Sequence, residues 1–155
     1  MRTLIFCLVA GVASAVHADF SGRVVSVHDG DSLTILVDGV QLHVHLSGID
    51  APELGQAFGD ASKQSLARIC LGQPARVVER SKTSNGWTLG HVTCGNVDAN
   101  TEQVRRGMAW VAVKAPKRSP LSALQEEARV QHIGLWSDPY PTPPWQWRTA
   151  AASKK

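Results

Sequence analysis

Four carboxylates stand at two points of the chain where a strand is expected to end. Asp29 and Asp31 flank Gly30, while Asp50 and Glu53 follow the run VHLSGI. Because the strands between them are short and adjacent, the four side chains can meet at one end of a sheet. Clustered carboxylates repel one another unless a cation lies among them, and hard oxygen donors suit Ca²⁺ or Mg²⁺ rather than zinc. The spacing therefore predicts a divalent-cation site, although each short motif taken alone is equally typical of a turn.

Two histidines offer a different metal chemistry. His43 and His45 are two residues apart, so they share one face of a strand, a spacing that can bind zinc. The zinc hypothesis lacks a third and a fourth soft ligand, because Cys70 and Cys94 are expected to be oxidised. His43 is therefore expected to be a surface residue, and zinc is the weaker of the two metal hypotheses.

The elements that position these side chains follow from the apolar pattern. The expected order is three strands within 20–46 with a tight hairpin at Asp38-Gly39, a helix over 55–70, strands over 75–79 and 87–93, a short helix capped by Asn100, and a last helix from Ser119-Pro120 to Gly134. This order suits a small antiparallel barrel with helices on one side. We therefore expect an α+β fold that is mainly β.

The two ends of the chain differ from the middle. Residues 1–18 have a positive start, an apolar run and small residues before Asp19, which is typical of a secretory signal peptide that is cleaved after Ala18. The apolar run is too short to span a bilayer. We expect a folded domain over 19–148, a disordered tail over 149–155, no membrane contact after signal removal, and a secreted or periplasmic monomer.

The cysteines and the charge add two constraints. Cys7 leaves with the signal peptide, so the mature chain keeps Cys70 and Cys94, a natural disulfide pair in an exported domain. Two buried free thiols are the alternative. The formal net charge of +3 permits an anionic partner but does not demand one.

Several segments together resemble the staphylococcal (micrococcal) nuclease family, or thermonuclease-like proteins, in its secreted, proteobacterial type. The segments are GRVVSVHDGDSLTI, VHLSGIDAPELGQAFGDASKQSL, VDANTEQVRRGMAWV and EEARVQHIGLW. They follow the family's order and spacing, and the resemblance covers residues 20 to about 148. It implies a five-stranded OB-type β-barrel with three helices, and a Ca²⁺-dependent phosphodiesterase that cuts DNA and RNA.

The resemblance also implies a role for each carboxylate. Asp31, Asp50 and the carbonyl of Ala51 would hold the calcium ion, and Asp29 would belong to its outer shell. Glu53 would position or deprotonate the attacking water. All four carboxylates of the family pattern are present.

The sequence departs from the family pattern at both active-site arginines. His45 stands where the family usually has the arginine of V-R-L, and Trp87 stands where it has the arginine of Y-G-R. A neutral imidazole stabilises charge on a phosphate much less than a bidentate guanidinium does, and an indole does not do so at all. Two hypotheses follow: a calcium-dependent nuclease with weakened activity, and a catalytically degenerate protein that binds calcium or nucleic acid without turnover.

Several residues could compensate for the missing arginines. His45 is cationic below about pH 6.5, or at higher pH beside the carboxylates. Arg80, Lys82 or Lys114 could reach the site instead. Trp87 is expected to pack against its strand, and the alternative is that it stacks on a base.

Overall fold

The computed structural model describes residues 19–116 and 119–153. The predicted signal peptide, 1–18, therefore lies outside the described residues, as do 117–118 and 154–155. Within the described ranges, no helix has the length and apolar character needed to cross a membrane.

Short strands alternate with helices along the chain. The elements are β1 (Phe20–Val27), β2 (Ser32–Val37), β3 (Val40–Leu46), β4 (Ile49–Asp50), α1 (Gly59–Cys70), β5 (Pro74–Lys82), β6 (Thr88–Cys94), β7 (Val97–Asp98), α2 (Ala99–Arg105), β8 (Trp110–Val111), α3 (Pro120–Val130), a 3₁₀ helix (Gly134–Ser137) and α4 (Pro144–Ala152). The five longer strands run in the order β3-β2-β1-β5-β6, and parallel pairing of β3 with β6 closes the ring. The predicted α+β fold with a five-stranded OB-type barrel is confirmed.

One apolar core fills the barrel and continues under α1 and α2. Alternate residues of each strand point inward, as the two-residue period of a strand requires. The buried residues include Val24, Leu33, Ile35, Val44, Leu46, Val77 and Val92 of the strands, and Leu66, Ile69 and Val104 of the helices. The opposite face of β3 carries His43 and His45 away from this core.

Two local predictions are confirmed. Asp38 and Gly39 have positive φ angles of 48° and 82°, the backbone of the tight turn that joins β2 to β3. At α3, the Ser119 hydroxyl accepts a hydrogen bond from the backbone N–H of Leu121, and Pro120 occupies the first turn.

Helix boundaries differ from the sequence-based expectation at three places. The cap of α2 is Asp98, whose Oδ1 accepts from Thr101 N at 3.0 Å, and not Asn100. Asn100 is buried because its amide bridges β6 to the β3–β4 turn: its Oδ1 accepts from Val92 N, and its Nδ2 donates to Ser47 O. Helix α1 begins at residue 59 rather than 55, and α3 ends at residue 130, before Gly134 opens the 3₁₀ helix.

The C-terminal segment forms a fourth helix where three helices were expected. Pro144 lies in the first turn of α4 and is buried, and Trp145 packs edge-on against Trp110 with ring centroids 5.6 Å apart. The helix continues to Ala152, although the chain from residue 149 was expected to be disordered. Burial of aromatic surface explains why a segment with three prolines before it takes an ordered path.

The predicted disulfide is confirmed. Cys70 and Cys94 are bonded and buried, with their Cα atoms 5.2 Å apart, and they join the end of α1 to the end of β6. Closing a loop of 24 residues stabilises a fold by about 3–4 kcal/mol in the chain-entropy account. The bond therefore fixes α1 against the barrel and, through α1, supports the turn that carries Asp29 and Asp31.

Candidate active site

A cavity of about 310 Å³ lies where β3 and β4 end, and it is called the acidic cavity below. Its lining includes four carboxylates, one imidazole and one guanidinium: Asp29, Asp31, Asp50, Glu53, His45 and Arg148. The structure thus brings together all four carboxylates that the sequence singled out. Their chemical roles stay predictions.

The turn between β1 and β2 packs closely against α1 and α2. A Cβ atom at Gly30 would overlap the Ser62 hydroxyl of α1 and crowd Ala51, so only glycine permits this close approach. Gln103 of α2 donates to the Gly30 carbonyl at 2.6 Å. The two aspartates on either side of Gly30 are therefore held by buried contacts of the core.

Asp29 is tied to its own turn. Its Oδ1 accepts hydrogen bonds from the backbone N–H of Asp31 at 3.1 Å and from the Ser32 hydroxyl at 2.7 Å. These two hydrogen bonds hold the turn, and with it the backbone of Asp31, in one conformation. The outer-shell role that the family resemblance implies for Asp29 stays a prediction.

Asp31 is a nearly buried carboxylate with incomplete charge compensation. Its side chain is 17% exposed, and its Oδ2 accepts from the backbone N–H of Ala51 at 2.8 Å. Its Oδ1 lies 3.8 Å from His45 Nδ1, an ion-pair distance rather than a hydrogen bond. Burial raises the pKa of Asp31 to about 6, the negative charge of Asp29 adds to this effect, and His45 and Ala51 oppose it. The carboxylate in turn raises the pKa of His45.

The metal-free protein is expected to become less stable as pH rises from 5 to 8. The folded state keeps the Asp31 proton up to about pH 6, whereas the unfolded chain loses it near 3.8, so the folded state binds more protons in this window. Stability should fall by roughly 1.5 kcal/mol between pH 5 and 7 on account of Asp31, and loss of the His45 proton acts in the same direction at higher pH. Urea unfolding in EDTA measures the change. Parallel pH curves for the wild type and Asp31→Asn would contradict this account.

Arg148 of α4 closes the acidic cavity. Its guanidinium binds both oxygens of Asp50, with Nη1 to Oδ1 at 3.0 Å and Nη2 to Oδ2 at 2.7 Å, and Nη1 also donates to Glu53 Oε1 at 2.6 Å. The two carboxylates raise the pKa of Arg148, which stays cationic. Sequence reasoning missed this residue, since it searched nearer the barrel for compensating cations. The sequence feature that could have indicated Arg148 is the segment PWQWR, residues 144–148, in which a proline that can open a helix precedes two tryptophans and the arginine.

The loop that carries Glu53 is joined to the segment before α4. The buried Gln56 accepts from the Glu53 backbone N–H at 3.1 Å and donates to the Thr142 carbonyl at 2.6 Å. On the other side, Asp50 pairs with Trp110 in the two-stranded sheet of β4 and β8. Asp50, Glu53 and the start of α4 therefore share one supporting framework.

His45 and Trp87, at the family's arginine positions, contact each other. The Trp87 ring stacks on His45 at 4.9 Å and on His43 at 4.7 Å, and it does not line the acidic cavity. Thr34 Oγ1 is hydrogen-bonded to His28 and to His43. Trp87 is thus partly covered by imidazoles, which agrees with the expected packing role. Within 19–116 and 119–153, no group of three or more His, Cys, Asp or Glu side chains is arranged to hold a metal ion, a finding that applies to the histidines and to the carboxylates alike.

The three cations proposed to compensate lie elsewhere. Lys82 pairs with Glu79 at 2.8 Å and donates to Thr88 at 2.6 Å. Arg80 and Lys114 line a groove of about 1000 Å³ that adjoins the acidic cavity along Asp50. None of the three lines the acidic cavity itself.

The donor set fits a hard cation in chemistry but is not pre-assembled. Asp31, Asp50 and Ala51 line one cavity, and carboxylate and carbonyl oxygens are the ligand chemistry of Ca²⁺. Asp31 is buried without a full countercharge, a state that a bound cation would relieve. Asp50, however, is engaged by Arg148 through both of its oxygens. A metal ion that uses Asp50 must displace this guanidinium.

Comparison with known proteins agrees with the barrel fold. Residues 43–138 match the family model described as staphylococcal nuclease homologue. The chain is 37% identical to a micrococcal nuclease of Shigella flexneri, over 97% of this chain and 93% of that protein. It is 36% identical to the protein ParB of Escherichia coli, over 93% and 88% of the two chains, and 41% identical to an uncharacterized endonuclease of Haemophilus influenzae, over 81% and 71%. The chain belongs to the staphylococcal nuclease family.

Proposed function

We propose that this protein is an exported, calcium-dependent nuclease that hydrolyses phosphodiester bonds of DNA or RNA. The observation that carries the proposal is the convergence of Asp31, Asp50 and Glu53 on one cavity of a staphylococcal nuclease barrel. Membership of the family supports a nucleic-acid substrate. The predicted signal peptide and the disulfide fit an oxidising compartment outside the cytoplasm.

Each side chain has a distinct task in this proposal. Asp31, Asp50 and the Ala51 carbonyl would hold the calcium ion, which would supply a positive charge to polarise a phosphoryl oxygen. Asp29 braces Asp31 through the turn. Glu53 accepts a proton from the water that attacks phosphorus. A new P–O bond forms, the bond to one bridging oxygen breaks, and that oxygen leaves with a proton from solvent.

A degenerate binding protein is the second candidate function. Two observations favour it: His45 and Trp87 replace both family arginines, and the Arg148 guanidinium bound to Glu53 Oε1 stabilises the negative charge of that carboxylate, the expected base. In this case the protein would bind calcium or nucleic acid without turnover.

Metal removal tests the first candidate against the second. We expect the purified mature chain to cut a single-stranded DNA oligonucleotide in Ca²⁺, to lose all detectable cutting in EDTA, and to regain it when calcium is restored in excess. Asp31→Asn, which removes an expected calcium ligand, should lose cutting in the same way, and Asp60→Asn, which removes an exposed carboxylate of α1, is its matched control. Cutting that persists in EDTA would contradict calcium dependence, and calcium-dependent DNA binding without cutting would support the second candidate.

A further inference from the structure

The acidic cavity contains a guanidinium that comes from outside the barrel. Arg148 is the only Arg or Lys among the described residues that line this cavity. Its side chain is 48% exposed, and its partners Asp50 and Glu53 are 17% and 37% exposed. Arg148 therefore contacts both an expected calcium ligand and the expected base.

The helix that carries Arg148 is firmly placed. Trp145 packs against Trp110 one helical turn before Arg148, and Pro144 is buried at the helix start. Gln56 ties the preceding segment to the Glu53 loop through Thr142. The side chain can therefore change partners while its backbone stays beside the carboxylates.

The guanidinium also lies where three neighbouring cavities meet. Arg148 borders the acidic cavity, the adjoining groove with Arg80 and Lys114, and a shallower cavity beside Glu53 and Trp147. A phosphate that sits above Glu53 for attack would lie within the reach of this side chain. Phosphate oxygens offer the same paired acceptors that Asp50 now offers, and guanidinium binds both kinds of group in a bidentate manner.

We propose that Arg148 is a catalytic residue that binds the substrate phosphate and replaces the two missing family arginines. The inference rests on the proposed function. If Asp50 held a calcium ion, the guanidinium would give up its main partner but would remain in the cavity as a cation. Without calcium it neutralises Asp50 and Glu53, which keeps the empty site from accumulating repulsive charge.

The test compares Arg148→Ala and Arg148→Lys with the wild type. Arg68→Ala is the matched control, because Arg68 is exposed near the end of α1 and does not line the acidic cavity. With single-stranded DNA and Ca²⁺, we expect kcat/KM to fall roughly 10- to 100-fold in Arg148→Ala. The fall should be smaller in Arg148→Lys, because lysine keeps the positive charge but cannot bind a phosphate in a bidentate manner. The Tm of all variants should stay close to that of the wild type.

Two further measurements separate phosphate binding from a structural role. In a Glu53→Gln background that does not cut, fluorescence anisotropy should show about 10-fold weaker oligonucleotide binding when Arg148 is alanine. Calcium titration calorimetry should show a few-fold tighter binding in Arg148→Ala, since the competitor for Asp50 is gone.

The outcomes are distinct for the two levels of inference. If the wild type cuts DNA and Arg148→Ala cuts as fast or faster, the proposed function stands and the role of Arg148 is overturned. If the wild type cuts nothing, the proposed function fails, and the anisotropy experiment decides: unchanged oligonucleotide binding in Arg148→Ala overturns the phosphate contact, while weakened binding supports it.

Discussion

Hydrolysis of single-stranded DNA is expected to fall by about 10²- to 10⁴-fold when Glu53 is replaced by Gln. The amide has the same shape as the carboxylate but cannot take a proton from water. Its oxygen can still accept the hydrogen bond from Arg148, so the contact at 2.6 Å and the fold around it should survive. The measurement is the initial rate of oligonucleotide cleavage at saturating Ca²⁺ and pH 8.

Glu126→Gln controls for the loss of one negative charge. Glu126 is exposed on α3, away from the acidic cavity. Calcium binding should be nearly unchanged in Glu53→Gln, because the expected metal ligands are Asp31, Asp50 and the Ala51 carbonyl. If Glu53→Gln retained more than a third of the wild-type rate, Glu53 would not be the base.

The barrel was predictable because its signals are local. Alternating apolar residues define the strands, Asp38-Gly39 specifies the hairpin, and Ser119-Pro120 specifies the start of α3. The convergence of the carboxylates was also predictable, since the first pair directly precedes β2, the second pair follows β3, and β2 and β3 are neighbours in the sheet. These features depend on residues close together in the chain or on adjacent strands.

The errors arose where distant contacts decide between local alternatives. Asp98 and Asn100 are both good cap residues. Only the folded barrel, which draws the Asn100 amide to Val92 and Ser47, leaves Asp98 as the cap. The sequence around Asn100 contains no sign of those partners.

Arg148 illustrates the same limit at the candidate site. Its contacts with Asp50 and Glu53 span 98 and 95 residues. No period or spacing connects a Pro- and Trp-rich tail to an acidic motif so far away. The sequence did establish that residues 45 and 87 are not arginine. This is the reason for assigning phosphate binding to Arg148 of α4.

Returning arginine to both family positions is the reciprocal experiment. The double variant His45→Arg/Trp87→Arg is expected to raise the cleavage rate by about 10²- to 10³-fold, because preorganised guanidinium groups stabilise charge that develops on the phosphate. Position 45 already lines the acidic cavity, so a longer cationic side chain there reaches the space above Asp31 and Asp50. Position 87 is next to position 45, since the Trp87 ring stacks on His45. Replacing Trp87 also removes the indole that stacks on His43.

His43→Arg is the matched control for this gain. It adds an arginine on the same face of β3, two residues away, but outside the lining of the acidic cavity. An equal gain in His43→Arg would mean that general attraction of nucleic acid, rather than a placed guanidinium, limits the rate. The gain should also be larger in an Arg148→Ala background, because groups that act on one phosphate are not additive. If the double variant gains nothing in either background, the missing arginines are not the cause of weak activity.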